Sequence, residues 1–180
     1  MDEKYQNKYR IQSARLQNWD YGSNASYFIT ICTKNRDHFF GEIRNNEMHL
    51  TNTGWLAETY WLEIPTHFPF IELGNFTVMP NHVHGILIMD KQENQTGNNN
   101  SNDKSPGQLR FQNQGNETIS SIVGSYKSIV SKKGHISNPE FDWQSRFHDH
   151  IIRDADSFER IQQYIAINPL NWKNDKFYSE

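Results

Sequence analysis

The stretch Met79-Pro80-Asn81-His82-Val83-His84-Gly85 limits what this chain can fold into more than any other. An apolar run, Phe76-Thr77-Val78-Met79, enters it, and a second, Ile86-Leu87-Ile88-Met89, leaves it. Pro80-Asn81 is a turn signal, so the two runs read as buried strands joined tightly. Side chains alternate along a strand, which puts His82 and His84 on one face with only Val83 between them. Two imidazoles on one face can hold a single divalent cation. They can equally be ordinary histidines near a turn. A chain with 8 His produces such spacings by chance, so the pair alone decides nothing.

The flanking sequence supplies the rest of a fold. Residues 27–33 are β-branched and aromatic and predict a first strand. Residues 39–44 and 47–50 flank Asn45-Asn46, a pair that tolerates left-handed backbone, and predict a hairpin. Thr53 can cap a helix running to about Glu63, with Trp55, Leu56, Tyr60 and Leu62 on its apolar side and Pro65 and Pro69 closing it. Ile119, Ile122, Val123, Tyr126, Ile129 and Val130 recur at helical spacing, with Lys127, Lys132 and Lys133 off that stripe or at its end. Residues 141–147 are aromatic and should pack on the core, and residues 150–153 predict a short strand. Asp156-Ser157-Phe158-Glu159 has capping-box spacing; the helix it opens turns Phe158, Ile161 and Ile165 inward and stops at Pro169. This order predicts an α+β fold, an antiparallel sheet with helices packed on it, close to the split βαβ arrangement.

A chain of 180 residues is expected to form one domain over 1–180. Residues 1–24, polar with scattered aromatics, read as an arm lying on that domain. Residues 92–116 contain 7 Asn and almost nothing apolar, and are expected to be a flexible insertion. No apolar run of membrane-spanning length exists, the N-terminus lacks the apolar core of a signal peptide, and Cys32 stands alone. The expectation is a cytoplasmic protein with no membrane partner. Its net charge of −3 argues against a general positive coat, although residues 45–117, with 3 basic and 8 acidic side chains, carry most of the acidity. A local basic face built from the two ends remains open.

Tyr164 and Asn168 lie four residues apart on the last predicted helix, hence on one face. Taken singly, Tyr164 reads as a core aromatic and Asn168 as a helix-end residue. Taken with His82 and His84 they acquire a chemical meaning. A cation held by two imidazoles and an amide oxygen keeps positions open for phosphate oxygens, and a neighbouring phenol can attack phosphorus. At this point the sequence resembles the HUH single-tyrosine transposases, and most closely their REP-associated branch. The matching stretches are residues 27–36, 40–43, 78–86 with the histidine–hydrophobe–histidine motif, 143–153, and Tyr164-Ile165-Ala166-Ile167-Asn168-Pro169. Several ordered motifs together are far more specific than any one.

The resemblance implies roles by position. His82 and His84 match the metal-binding histidines, Asn168 the third, amide ligand, and Tyr164 the nucleophile. It implies a divalent metal, Mg or Mn, and cleavage and rejoining of single-stranded DNA beside a hairpin through a 5′-phosphotyrosine. His148-Asp149-His150 repeats the two-residue spacing but lies outside the family's metal motif, so His150 is expected as an active-site neighbour and His148 as structural. Arg146, Arg153 and Lys127 are the candidate contacts to the DNA backbone. Relatives include dimers that donate the tyrosine from the partner, so both monomer and homodimer stay open. Two other functions compete: a catalytically silent hairpin-DNA binding protein, and a metal-dependent hydrolase with no covalent step.

Overall fold

A computed structural model of the chain describes residues 19–92 and 117–178, together with the paired strands Lys4–Tyr5 (β1) and Lys8–Tyr9 (β2). The insertion expected over residues 92–116 lies, apart from its first residue, outside the described residues. Most of the N-terminal arm does too. Its end is tied down: Trp19 Nε1 donates to the Tyr27 hydroxyl at 3.1 Å, and Trp19 and Tyr21 pack against the core.

The centre is a four-stranded antiparallel sheet of Ala25–Cys32 (β3), Ile71–Met79 (β6), His82–Met89 (β7) and His148–Ile152 (β8), in the order β6-β7-β3-β8. Counted along the chain, these strands stand second, third, first and fourth, which is the split βαβ order the sequence predicts. A separate hairpin, Gly41–Arg44 (β4) and Glu47–Leu50 (β5), follows β3, and its turn residues Asn45 and Asn46 sit at φ 53° and 66° as expected.

Alternation along the two central strands gives the sheet two apolar faces. On one, Tyr27, Ile29, Ile31, Val83 and Leu87 meet Asn52–Leu62 (α1) and Ile119–Ser137 (α3), forming the main core with Ala57, Trp61, Ile122, Tyr126 and Val130. The short helix α2, Ile64–His67, lies between α1 and β6. On the other face, Phe28, Ile86 and Ile152 meet Phe158, Ile161 and Ile165 of Ala155–Ile167 (α4). Beside them Cys32 and Met79 meet Trp172 and Phe177 from the chain's end. Phe141 and Trp143 are buried in the main core, as their aromatic character predicts.

Four local readings need correction. The cap of α1 is Thr51, whose hydroxyl accepts from Gly54 N at 3.1 Å, while Thr53 is buried inside the helix. The helix also presents a different face. Trp55 and Leu62 are more than half exposed, and the buried positions are Thr53, Gly54, Ala57 and Trp61. Close approach drives this choice: a Cβ on Gly54 would lie 2.1 Å from the Phe40 carbonyl oxygen, and Ala57 O accepts the Tyr126 hydroxyl at 2.9 Å. Helix α4 is capped by Asp154, which accepts from Ser157 N at 2.7 Å, two residues before the cap the sequence pattern suggests. Finally, α3 runs on to Ser137, so Lys132 and Lys133 lie inside it and His135 is the basic residue of its last turn. Among the described residues no helix is long and apolar enough to cross a membrane.

Candidate active site

The turn between β6 and β7 pairs Met79 with His82 and leaves Pro80 and Asn81 as the connection. Its carbonyls are braced from outside the hairpin: Pro80 O accepts from Phe40 N at 3.0 Å, and Asn81 O from Thr33 N at 2.9 Å and Thr33 Oγ1 at 3.0 Å. A one-residue register slip would move both histidines to the opposite face, so this bracing fixes the site. His82 and His84 stand on the α4 face, fully buried, with ring centroids 4.4 Å apart.

The position of α4 is set from β6. The register shifts between Leu73 and Phe76, and the bulged Asn75 grips the helix: its backbone N–H donates to Gln162 Oε1 at 2.5 Å and its Nδ2 to Gln162 O at 3.1 Å. Two residues on, Tyr164 reaches the histidines. Its hydroxyl oxygen lies 3.3 Å from His84 Nε2 and donates to Asp175 Oδ2 at 3.0 Å. Asn168, one turn further and buried, donates from Nδ2 to the same Asp175 oxygen at 2.8 Å. His82, His84, Tyr164 and Asn168 therefore converge, all from one chain.

The hydrogen bonds fix what each imidazole presents. Asn81 Nδ2 donates to Phe177 O at 2.8 Å, which turns Asn81 Oδ1 toward His82 Nδ1, also at 2.8 Å. An amide oxygen only accepts, so His82 carries its proton on Nδ1. Its Nε2 keeps a lone pair, is buried, and has no hydrogen-bond partner. His84 Nδ1 meets Thr30 Oγ1 at 2.9 Å, a partner that lets Nε2 serve as ligand in the same way. Burial and the neighbouring His84 hold the His82 pKa well below its ordinary value. Burial lowers that of His84 to about 3, against the opposing pull of Asp175. Both rings are thus neutral near pH 7, the form that binds metal. Asn168 Oδ1 is likewise buried and unpartnered. The orphaned lone pairs of His82 Nε2 and Asn168 Oδ1, with the neutral His84 imidazole, fit a divalent cation. Among the described residues, His82, His84 and Asp175 also place one ligand atom each within 4.8 Å of one another. Tyr164 has its pKa raised, first by burial and then by the Asp175 carboxylate, so the phenol is protonated.

The remaining expected residues fall elsewhere. His148 pairs with Thr30, level with His84, and His150 with Phe28, two pairs further along. Both are exposed on the site's face of the sheet, so the register sets His148, read from sequence as structural, level with the site. Arg146 and Arg153 are exposed at the two ends of β8. Lys127 belongs to the opposite side of the sheet. It sits on α3, donates to Gln144 O at 2.6 Å, and lines a groove of about 420 Å³ with Ser128, Asp142 and Phe147.

No family model matches the chain. An uncharacterized protein of Haemophilus influenzae is 38% identical to it over 172 residues, spanning 93% of this chain and 92% of that one. The chain belongs to that protein's family. Among solved structures, a REP-associated tyrosine transposase bound to a REP hairpin superposes with a TM-score of 0.58 at 18% identity, over 89% of this chain and 74% of that one. The likeness is one of fold: the chain shares the architecture of that transposase, an antiparallel sheet with helices packed on it.

Asp175 is the site residue that sequence reading missed. It follows a 3₁₀ segment, Asn168–Asn174, and belongs to no motif. The signal available was Trp172 and Phe177, two large apolar side chains past the stop at Pro169. They are buried against Cys32 and Met79 and carry Asp175 in with them.

Proposed function

We propose that this protein cleaves and rejoins single-stranded DNA beside a hairpin, with Tyr164 as the nucleophile. The observation that carries the reading is the Tyr164 hydroxyl, 3.3 Å from His84 Nε2, in a site where Nε2 of His82 and Oδ1 of Asn168 are buried without a hydrogen-bond partner. Those two histidines, with Asn168, would hold Mg²⁺ or Mn²⁺. A cation held there supplies Lewis-acid stabilisation of charge on phosphate oxygens. The chain's own part is positional. Phe28 packs edge-on against the Tyr164 ring at 6.2 Å, and the Gln162 anchor fixes the helix turn that presents the hydroxyl. Attack by the Tyr164 oxygen forms a P–O bond and breaks the bond to the 3′ oxygen. The phenolic proton is lost and the leaving 3′ oxygen gains one, giving a 5′-phosphotyrosine and a free 3′-OH. Attack by a second strand's 3′-OH reverses the step and restores the phenol, so rejoining needs no ATP.

Support for the DNA partner comes from the solved transposase, which is bound to a REP hairpin. The test is a denaturing gel of labelled hairpin DNA with single-stranded flanks, incubated with Mn²⁺ or Mg²⁺. Wild type should yield a protein-linked band and Tyr164→Phe neither nick nor adduct. A protein-linked band that survives the substitution assigns the nucleophile to another residue. The same gel tests the catalytically silent alternative. Hairpin binding by wild type without any adduct at saturating Mn²⁺ would establish that alternative. Nicking that persists in Tyr164→Phe without an adduct would establish a hydrolase.

A further inference from the structure

We propose that Asp175 is a positioning residue of this site, setting through one carboxylate oxygen both where the Tyr164 hydroxyl stands and which atom of Asn168 faces the histidines. The inference rests on the proposed function for the role of Tyr164, while its metal-site half stands on geometry alone. Asp175 Oδ2 accepts from Tyr164 at 3.0 Å and from Asn168 Nδ2 at 2.8 Å. An amide that donates from its nitrogen on one side presents its oxygen on the other, and Asn168 Oδ1 is the atom found buried without a partner. Without Asp175, nothing shown would prevent the Asn168 carboxamide from turning over and aiming N–H groups, which repel a cation, at His82 and His84.

Ordinary turn-making accounts for the other carboxylate oxygen only. Asp175 Oδ1 accepts from Phe177 N at 2.7 Å, a local turn that any Asp two residues before a free N–H can form. It does not account for two further donors arriving at Oδ2 from α4 and its C-cap. The turn itself is anchored in the site. Phe177 lies 4.7 Å from the His82 ring, and its carbonyl accepts from the Asn81 amide that fixes the His82 tautomer. Two arms thus leave Asp175: hydrogen bonds through Phe177 and Asn81 to His82, and the Tyr164 hydroxyl, placed 3.3 Å from His84 Nε2. Partners of this second layer commonly change metal affinity about 10–100-fold when removed.

The test separates positioning from direct ligation and from mere stability. Mn²⁺ binding to the full chain is measured by calorimetry without DNA for wild type, Asp175→Asn, Asp175→Ala, Asn168→Ala and the Asp175→Ala/Asn168→Ala double variant, each checked for its thermal midpoint. Asp175→Asn and Asp175→Ala should each weaken Mn²⁺ about tenfold or more, and Asp175→Ala should add little once Asn168 is already Ala. At saturating Mn²⁺, Asp175→Asn should also slow adduct formation at least tenfold. Full additivity in the double variant would make Asp175 a direct ligand and overturn the proposal. So would a lowered midpoint with unchanged Mn²⁺ affinity, or a wild type that binds no Mn²⁺. A wild type that binds Mn²⁺ normally but forms no adduct sinks the proposed reaction instead, and the calorimetric comparison still decides the role of Asp175 toward Asn168.

Discussion

At the scale of single residues, the site is built from groups that are costly to bury and are kept there by partners. His82 gives up solvent, donates one hydrogen bond to Asn81, and retains a buried Nε2 with none. Such an atom costs stability and is expected where a ligand compensates for it. His82→Ala should therefore remove Mn²⁺ binding and adduct formation without unfolding the protein. The substitution removes the hydrogen bond between His82 Nδ1 and Asn81 Oδ1 and leaves a small void, a loss of about 1–3 kcal/mol. Calorimetry with Mn²⁺ and a urea melt read the two effects separately. Retained metal affinity in His82→Ala would move the site away from this pair.

At the scale of elements, function depends on how closely helices approach the sheet. Gly85 stands between Val83 and Leu87 on the main-core face of β7 and lies under the Trp61 indole, where an added Cβ would come 2.3 Å from Trp61 Cζ2 and 2.9 Å from Phe76 Cβ. The indole cannot move far, because Trp61 is fully buried and packed edge-on against Tyr126 at 5.3 Å. Gly85→Ala should cost about 1–3 kcal/mol through overpacking, read as a lower denaturant midpoint. Gly85 follows His84 directly, so the displacement should also loosen metal binding. An unchanged midpoint would mean that Trp61 has another place to go. The second element-scale device is the β6 bulge. Asn75 uses its backbone N–H and its side chain to hold Gln162, which ties the helix carrying Tyr164 to the strand pair carrying the histidines.

At the scale of the molecule, the buried histidines couple stability to pH. The unfolded chain binds protons at both rings near pH 6.5, whereas in the folded chain burial lowers the pKa of His84 to about 3 and that of His82 in the same direction. Between those values the unfolded state binds more protons, so stability present above about pH 6.5 is lost as pH falls. The slope is about 1.4 kcal/mol per pH unit for each ring. Urea midpoints of the metal-free protein should drop from pH 7 to pH 5, before most carboxylates protonate, and saturating Mn²⁺ should raise the whole curve. A flat profile over that interval would mean the rings are solvated. Residues 92–116 offer no apolar side chains to a core beyond Leu109 and Phe111. Replacing them with a short Gly/Ser linker should leave the thermal midpoint nearly unchanged, and a large fall would show that the segment packs.

What the sequence determined by itself is whatever follows from period and punctuation. The β6–β7 hairpin, the left-handed Asn45-Asn46 turn, the apolar stripe of α3 and the shared face of His82 and His84 are all consequences of neighbours along the chain. The resemblance added Tyr164 and Asn168, and the fold brings them to that face. Tertiary structure decided the rest, because the deciding atoms are distant in sequence. The buried face of α1 is chosen by Phe40 and Tyr126 rather than by the hydrophobicity of Trp55 or Leu62, since small residues permit the closest approach. The caps moved to Thr51 and Asp154 for a similar reason, as either neighbouring polar residue could serve until the helix axis was set. Asp175 could not be read locally at all. Its place beside Tyr164 and Asn168 depends on Trp172 and Phe177 burying against Cys32 and Met79 on the α4 face of the sheet, and no spacing rule along the chain encodes that contact.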